Sequence, residues 1–194
     1  MAELPAGTRG ESADLADPAQ VRELLGRIGT FDHLVFTAGE PLTLMGLEAL
    51  DVARAQEFFG LRYFGAPAAV GAAVPHLRPS GSVVLTSGTA GARPGPGWAV
   101  AAGICGAVEA SVRALALELA PIRVNAVAPG VVRSPLWASM PEADRERLYE
   151  STAAATPLGR VCEPSDVAQV YVSLMRQTFT TGTTATVDGG GVLM

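Results

Sequence analysis

Between residues 81 and 137 the chain switches between two kinds of apolar patterning. Ser82-Val83-Val84-Leu85-Thr86 is a short unbroken run bounded by Gly81 and Gly88, the pattern of a strand covered on both faces. From Gly97 to Leu119 the apolar residues Val100, Ile104, Val108, Val112, Leu115 and Leu119 recur every three or four positions, which places them in one stripe along a helix. Pro121 stops that helix, and Arg123-Val124-Asn125-Ala126-Val127 follows as a second strand. A strand, a crossover helix and a strand of this length form a βαβ unit, whose strands lie parallel.

The same alternation extends in both directions. Asp17-Pro18 opens a helix to about Gly29, with Asp17 as N-cap, Pro18 at the first helical position, and Val21, Leu24, Leu25 and Ile28 as its apolar face. Asp32 to Phe36 is a strand, and Thr37-Ala38-Gly39 is its exit turn. A loop over 40–49 leads to a mainly helical stretch over 50–77, kinked or restarted around Pro67. Pro141-Glu142-Ala143-Asp144 opens a polar helix, Glu163–Gln177 is amphipathic, and Thr183–Val187 is the last strand. Helices alternating with buried strands predict an α/β fold, a Rossmann-like parallel sheet with flanking helices. At 194 residues it is read as one domain, 1–194, with residues 1–9 irregular.

Composition narrows the classes of function. A net charge of −5, with no basic cluster longer than two residues, argues against nucleic acid or an anionic membrane as partner. The apolar stretch Phe64–Val74 is too short to span a bilayer. Cys105 and Cys162 have no metal-like spacing, so neither a metal site nor a disulfide framework is expected. With no basic-then-apolar leader in MAELPAGTRGESAD, the expected location is cytoplasmic.

Four segments occur together in order: Ser87-Gly88-Thr89-Ala90-Gly91, ALALELAPIRVNAVAPG over 114–130, PLGRV with EPSDVA over 157–168, and VDGGG over 187–191. From about residue 10 to 194 the chain resembles the short-chain dehydrogenase/reductase family. The resemblance implies an NAD(P)-linked oxidoreductase acting on a small molecule that the sequence does not identify. In that family a Tyr and a Lys four residues apart share one helical face. The ammonium lowers the phenol pKa, so that the Tyr exchanges a proton with a carbonyl or alcohol. A Ser thirteen residues earlier and an Asn on the preceding helix complete the set. Anchored on LALELAP, the Tyr and Lys positions are Ala101 and Cys105, the Ser position is Gly88, and the Asn position is Gly60. The chain contains no lysine at all, so no change of register supplies one.

Substitutes close by in sequence are few. Ser87 and Thr89 flank Gly88, but adjacent side chains of an extended segment point to opposite faces, and bonding to loop backbone is the plainer role. Ser87 stands as the one weak catalytic candidate. Cys105, on an Ala- and Gly-rich helical face, reads as a small buried hydrophobe before a nucleophile. Arg62, two residues beyond Gly60, either approaches the site or, the favoured reading, is a solvated side chain beside a dimer face, and Tyr63, Tyr149 and Tyr171 lie far from the acid's place in sequence. Trp137, Met140 and Tyr149 fall in the family's substrate-lid region and either line the pocket or pack within the lid.

For the cofactor, NAD or NADP, the resemblance assigns Asp14 to the adenine, Ala38 and Gly39 to the ribose, and Pro129, Gly130 and Ser134 to the nicotinamide side. Gly10 to Leu15 resembles the end of the family's third strand. No G-x-G-x-x-G occurs, so the pyrophosphate turn and the first βαβα portion are read as missing, and cofactor binding is expected to suffer. The strand ending at Phe36 is then expected to be an open edge, covered by residues 1–16 folding back, by a partner chain, or, the favoured reading, by further N-terminal sequence of a longer natural protein. The family's dimers also imply a homo-oligomer through helices 50–76 and 97–119. Three readings follow: an oxidoreductase of weak or no activity, a catalytically silent binding or assembly protein, or a fragment.

Overall fold

The computed structural model describes residues 6–42 and 44–194. Strands β1 (Phe31–Phe36), β2 (Leu77–Thr86), β3 (Arg123–Pro129) and β4 (Thr184–Val187) lie side by side in chain order, each parallel to its neighbour. The helices are α1 (Pro18–Ile28), α2 (Val52–Phe59), α3 (Ala66–Ala73), α4 (Ala99–Glu118), α5 (Glu142–Ala155) and α6 (Pro164–Arg176). Alternate residues of the central strands feed different layers, as the pleat requires. Val83, Leu85, Val124 and Ala126 join the larger core beneath α1, α3 and α4, whereas Val84 and Val127 pack on Val167, Tyr171 and Leu174 of α6. This is the expected Rossmann-like layering.

Local chemistry sets the boundaries. Asp17 Oδ1 accepts the Ala19 N–H at 2.8 Å, Pro18 takes the first turn, and Gly29 ends α1 at φ +77°. The long α4 is apolar enough, at a mean hydropathy of 1.6, to cross a membrane, and here it packs Ile104, Val108 and Val112 into the larger core. Its outer side exposes Gly103, Gly106, Ala110, Ala114 and Leu117.

Three expectations need correcting. Gly10 to Leu15 is not a strand end but irregular chain leading into a turn, where Asp14 Oδ1 accepts the Ala16 N–H at 2.9 Å. That polar segment has no apolar alternation to hold it against a sheet. The break in the 50–77 helix falls at a π-turn over Gly60–Gly65 rather than at Pro67, which is tolerated in the first turn of α3. Strand β2 begins earlier than its apolar run, at Leu77, and bulges: Phe31 pairs with Leu77, but His33 pairs with Ser82. Gly81 permits the bulge, because a methyl group there would clash with the Asp32 carbonyl. His33 has the structural place expected of it, with Nδ1 2.9 Å from the buried Ser82 hydroxyl.

Candidate functional site

The segments leaving the C-terminal ends of β1, β2 and β3 bound a cavity of about 660 Å³. This is where parallel α/β sheets place their ligands. Phe36 to Gly39, Thr86 to Ala90 and Pro129 to Val132 form its floor, with Trp98, Leu136 and Trp137 above and Val167, Ala168 and Tyr171 of α6 at one side. Trp137 is fixed by donating Nε1–H to the Val132 carbonyl at 2.9 Å. Outside it, Arg133 lies 4.4 Å from the Tyr149 ring and pairs with Glu146 and Glu163, tying α5 to the start of α6. Of the lid residues singled out from sequence, Trp137 lines the cavity, and Met140 and Tyr149 do not line it but pack with Trp137 in a small cluster.

Ala101, Cys105 and Gly88 all lie on the cavity wall, and a methyl group on Gly88 would stand 3.4 Å from the Cys105 sulfur. Gly60 lies apart from them, at the start of the π-turn. Burial pushes the Cys105 thiol up, outweighing the bonds from Ser87 and the Gly91 backbone that pull it down. Its nucleophilic form is therefore scarce at neutral pH. Ser87 also reaches the cavity, but its hydroxyl stands 3.0 Å from Glu109 Oε1 and 3.3 Å from the Cys105 carbonyl. The Ser87 proton is directed to a carboxylate, with no imidazole to activate the oxygen.

The fold brings into the cavity two residues that the sequence reading weighed and set aside. Tyr171 faces it from α6, with its hydroxyl 2.6 Å from Thr86 Oγ1, and Thr86 in turn donates to the Phe36 carbonyl at 2.6 Å. One proton per oxygen makes Tyr171 the donor to Thr86, and burial pushes its phenol above the ordinary tyrosine value. Its proton is held in a structural relay. Arg62 is the second, and its reading as a solvated residue at a dimer face is corrected. The π-turn swings it inward, where it lines the cavity and lies against Gly39: a methyl group there would be 2.9 Å from the guanidinium carbon. Its Nη2 donates to the Glu40 carbonyl, and its Nε stands 3.7 Å from Glu40 Oε2. No periodicity marked either residue; only the apolar run around Arg62 hinted that it was not plain surface.

Of the residues assigned to the cofactor, Ala38, Gly39, Pro129, Gly130 and Ser134 line the cavity, and Asp14 lies outside it in the turn before α1. Two of these also have local duties. Arg62 covers Gly39, and Gly130 leaves room for Asp188, whose Cβ would be 2.9 Å from an added methyl. The Gly130 to Ser134 side of the cavity is open, whereas Gly39 is covered by Arg62. Among the described residues no cluster of His, Cys, Asp or Glu has the makings of a metal site.

A four-stranded parallel sheet with flanking helices and a cavity at the C-terminal strand ends defines the class of Rossmann-like α/β proteins. Comparison with known proteins narrows it. A family profile described as enoyl-(acyl carrier protein) reductase matches residues 3–191. The short-chain dehydrogenase/reductase ATR9 of Stachybotrys chlorohalonatus is 39% identical over 168 residues, covering 85% of this chain and 65% of that protein. The short-chain dehydrogenase/reductase malC of Malbranchea aurantiaca is 34% identical, covering 83% of this chain and 62% of its own length. A solved small-chain dehydrogenase in complex with NADPH superposes with a TM-score of 0.91 at 36% identity, over 93% of this chain and 83% of the other. The chain belongs to the short-chain dehydrogenase/reductase family, and it spans less than two thirds of the length of these two curated relatives.

Proposed function

We propose that this chain keeps the family's ligand cavity, including the nicotinamide end of an NAD(P) site, but turns substrate over very slowly or not at all. The observation that carries this is the shared wall formed by Ala101, Cys105 and Gly88, where among the described residues neither a tyrosine nor a lysine stands at the positions the family uses for proton transfer. The two hydroxyls best placed to substitute are both engaged, Ser87 with Glu109 and Tyr171 with Thr86. An NAD(P) held here would provide hydride-transfer chemistry. Gly130 and Ser134 would hold its carboxamide side, and Leu136 and Trp137 would exclude water. Among the described residues no Tyr–Lys pair is present to move the accompanying proton, a contribution worth about 10²–10⁴-fold in rate.

The chain's two tryptophans, Trp98 and Trp137, both line the cavity, so their emission reports on it directly. NADPH is the first cofactor to test, because the 36% identical structure holds it. The expected result is saturable energy transfer from tryptophan to NADPH, without oxidation when a carbonyl compound is added. Absence of transfer at millimolar NADPH would favour an inert fragment.

Assembly is a second reading, favoured by the outer side of α4, where small residues surround Leu117, itself 84% exposed. A homo-oligomer pairing this side with the α2–α3 segment should give light scattering at a multiple of 19.9 kDa, and a monomer would remove the reading.

A further inference from the structure

The cavity wall is mostly apolar, with Leu42, Phe58, Trp98, Ile104, Leu136 and Trp137 prominent. Among the described residues that line it there is one charged side chain, Arg62, and no carboxylate. Burying a guanidinium is costly unless its hydrogen bonds are met. Here they are only partly met. Arg62 Nη2 has the Glu40 carbonyl, while Nη1 makes no hydrogen bond to the described residues. Arg62 Nε and Glu40 Oε2 are both buried without hydrogen-bond partners, 3.7 Å apart: near enough to attract, too far to bond. Burial accordingly holds the guanidinium below its ordinary pKa, with Glu40 acting in the opposite direction. Arginine still carries its charge at neutral pH. Phe58 supports the group from below, its ring centroid 4.9 Å from the Arg62 guanidinium carbon. The Ser87 and Thr89 hydroxyls lie on the same cavity.

A single planar cation at the wall of an apolar chamber matches a ligand with one planar anionic group and an apolar body. We propose that the cavity takes a small apolar carboxylic acid as its carboxylate, with the carboxylate on Arg62 and the body among Trp98, Leu136 and Trp137. A phosphate group fits less well, because a dianion would meet one guanidinium and no further cation. The proposal rests on the reading of this cavity as the ligand site and names the class of molecule it selects. Glu40 sits behind Arg62 as its present partner, so the ligand competes with it. Arg62 therefore sets specificity, and Glu40 sets how strongly it acts.

The test is titration of tryptophan emission with phenylacetate, with its neutral isostere phenylacetamide, and with inorganic phosphate. Phenylacetate should saturate at about tenfold lower concentration than the amide, the ratio expected of one charge-assisted hydrogen-bonding group. Phosphate should produce no saturable change. Arg62→Gln should abolish the preference, and Arg62→Lys should retain part of it. Glu40→Gln, whose amide oxygen can still accept the Leu61 N–H that Glu40 Oε1 now takes at 3.1 Å, should tighten phenylacetate several-fold. That gain is one a purely structural salt bridge would not give, and it decides the matter if Arg62→Gln fails to fold. Equal affinity for acid and amide, no saturable change with either, tighter binding of phosphate, or no gain in Glu40→Gln would each overturn the proposal. NADPH energy transfer that persists alongside such a failure would sink this inference alone, whereas loss of both would sink the reading of the cavity itself.

Discussion

Replacing Thr86 by Val removes one hydroxyl and keeps the shape of the side chain. That hydroxyl sits between two 2.6 Å contacts, accepting from Tyr171 on α6 and donating to the Phe36 carbonyl at the end of β1. It therefore links the edge strand to the helix on the far side of β2. Its loss leaves the Tyr171 hydroxyl and the Phe36 carbonyl without their partner. An unmet buried polar group costs about 1–3 kcal/mol. Tyr171 borders the cavity, where water can reach it, so the total should fall at about 2–3 kcal/mol. Tyr171→Phe removes the other end and leaves Thr86 bonded to Phe36, at a cost of about 1 kcal/mol. The double variant should cost about 1 kcal/mol less than the sum of the singles, because the second change removes a group the first has already orphaned. Urea unfolding reads all three, and with a slope of about 2 kcal/mol per molar the Thr86→Val midpoint should fall by roughly 1 M. Strict additivity, or a midpoint moved by less than about 0.3 M, would show that the relay does not exist and that the Tyr171 proton is free for other work.

Burial of Tyr171, which outweighs the opposite effect of its bond to Thr86, gives a pH signature. The folded-state pKa of Tyr171 is raised from 10.0, so its contribution to stability is complete below the unfolded value and is lost as the pH climbs through the folded one. Stability of the wild type should decline from about pH 10 upward, and Tyr171→Phe should flatten that decline in alkaline urea titrations; equal slopes would contradict it. Gly81→Ala should destabilise by roughly 3 kcal/mol or more in thermal melts, because the added methyl meets the Asp32 carbonyl, a backbone atom that cannot swing aside. A neutral Gly81→Ala would mean that the β1–β2 bulge is not as drawn.

Strands and helices were legible wherever burial is layered and local signals agree. The Val83 to Leu85 and Val124 to Val127 runs, the α4 stripe and the Asp17-Pro18 start all turned out as their patterns predict. The π-turn was not legible, because Gly60 and Gly65 are as compatible with a kink as with a widened turn, and Pro67 gave the louder signal. That shift matters for the site: it carries Arg62 from an outer helical face to the cavity wall. Tyr171 was set aside for a different reason. It sits 85 residues beyond Thr86, and only the stacking of α6 on β2 brings them together. The positions of Ala101, Cys105 and Gly88, by contrast, followed from the family resemblance anchored on LALELAP and share one wall, whereas Gly60, placed the same way, does not.

The most direct test of the account is the steady-state rate of NADPH oxidation by the purified chain, at saturating NADPH and against a panel of simple ketones and aldehydes. With no Tyr–Lys pair on the cavity wall, the rate should fall at least about 10²-fold below the roughly 10 per second typical of enzymes, to about 0.1 per second or less. Turnover of about one per second or faster on any of them would contradict it, and would require a proton donor in this cavity other than the Ser87 and Tyr171 arrangements described above.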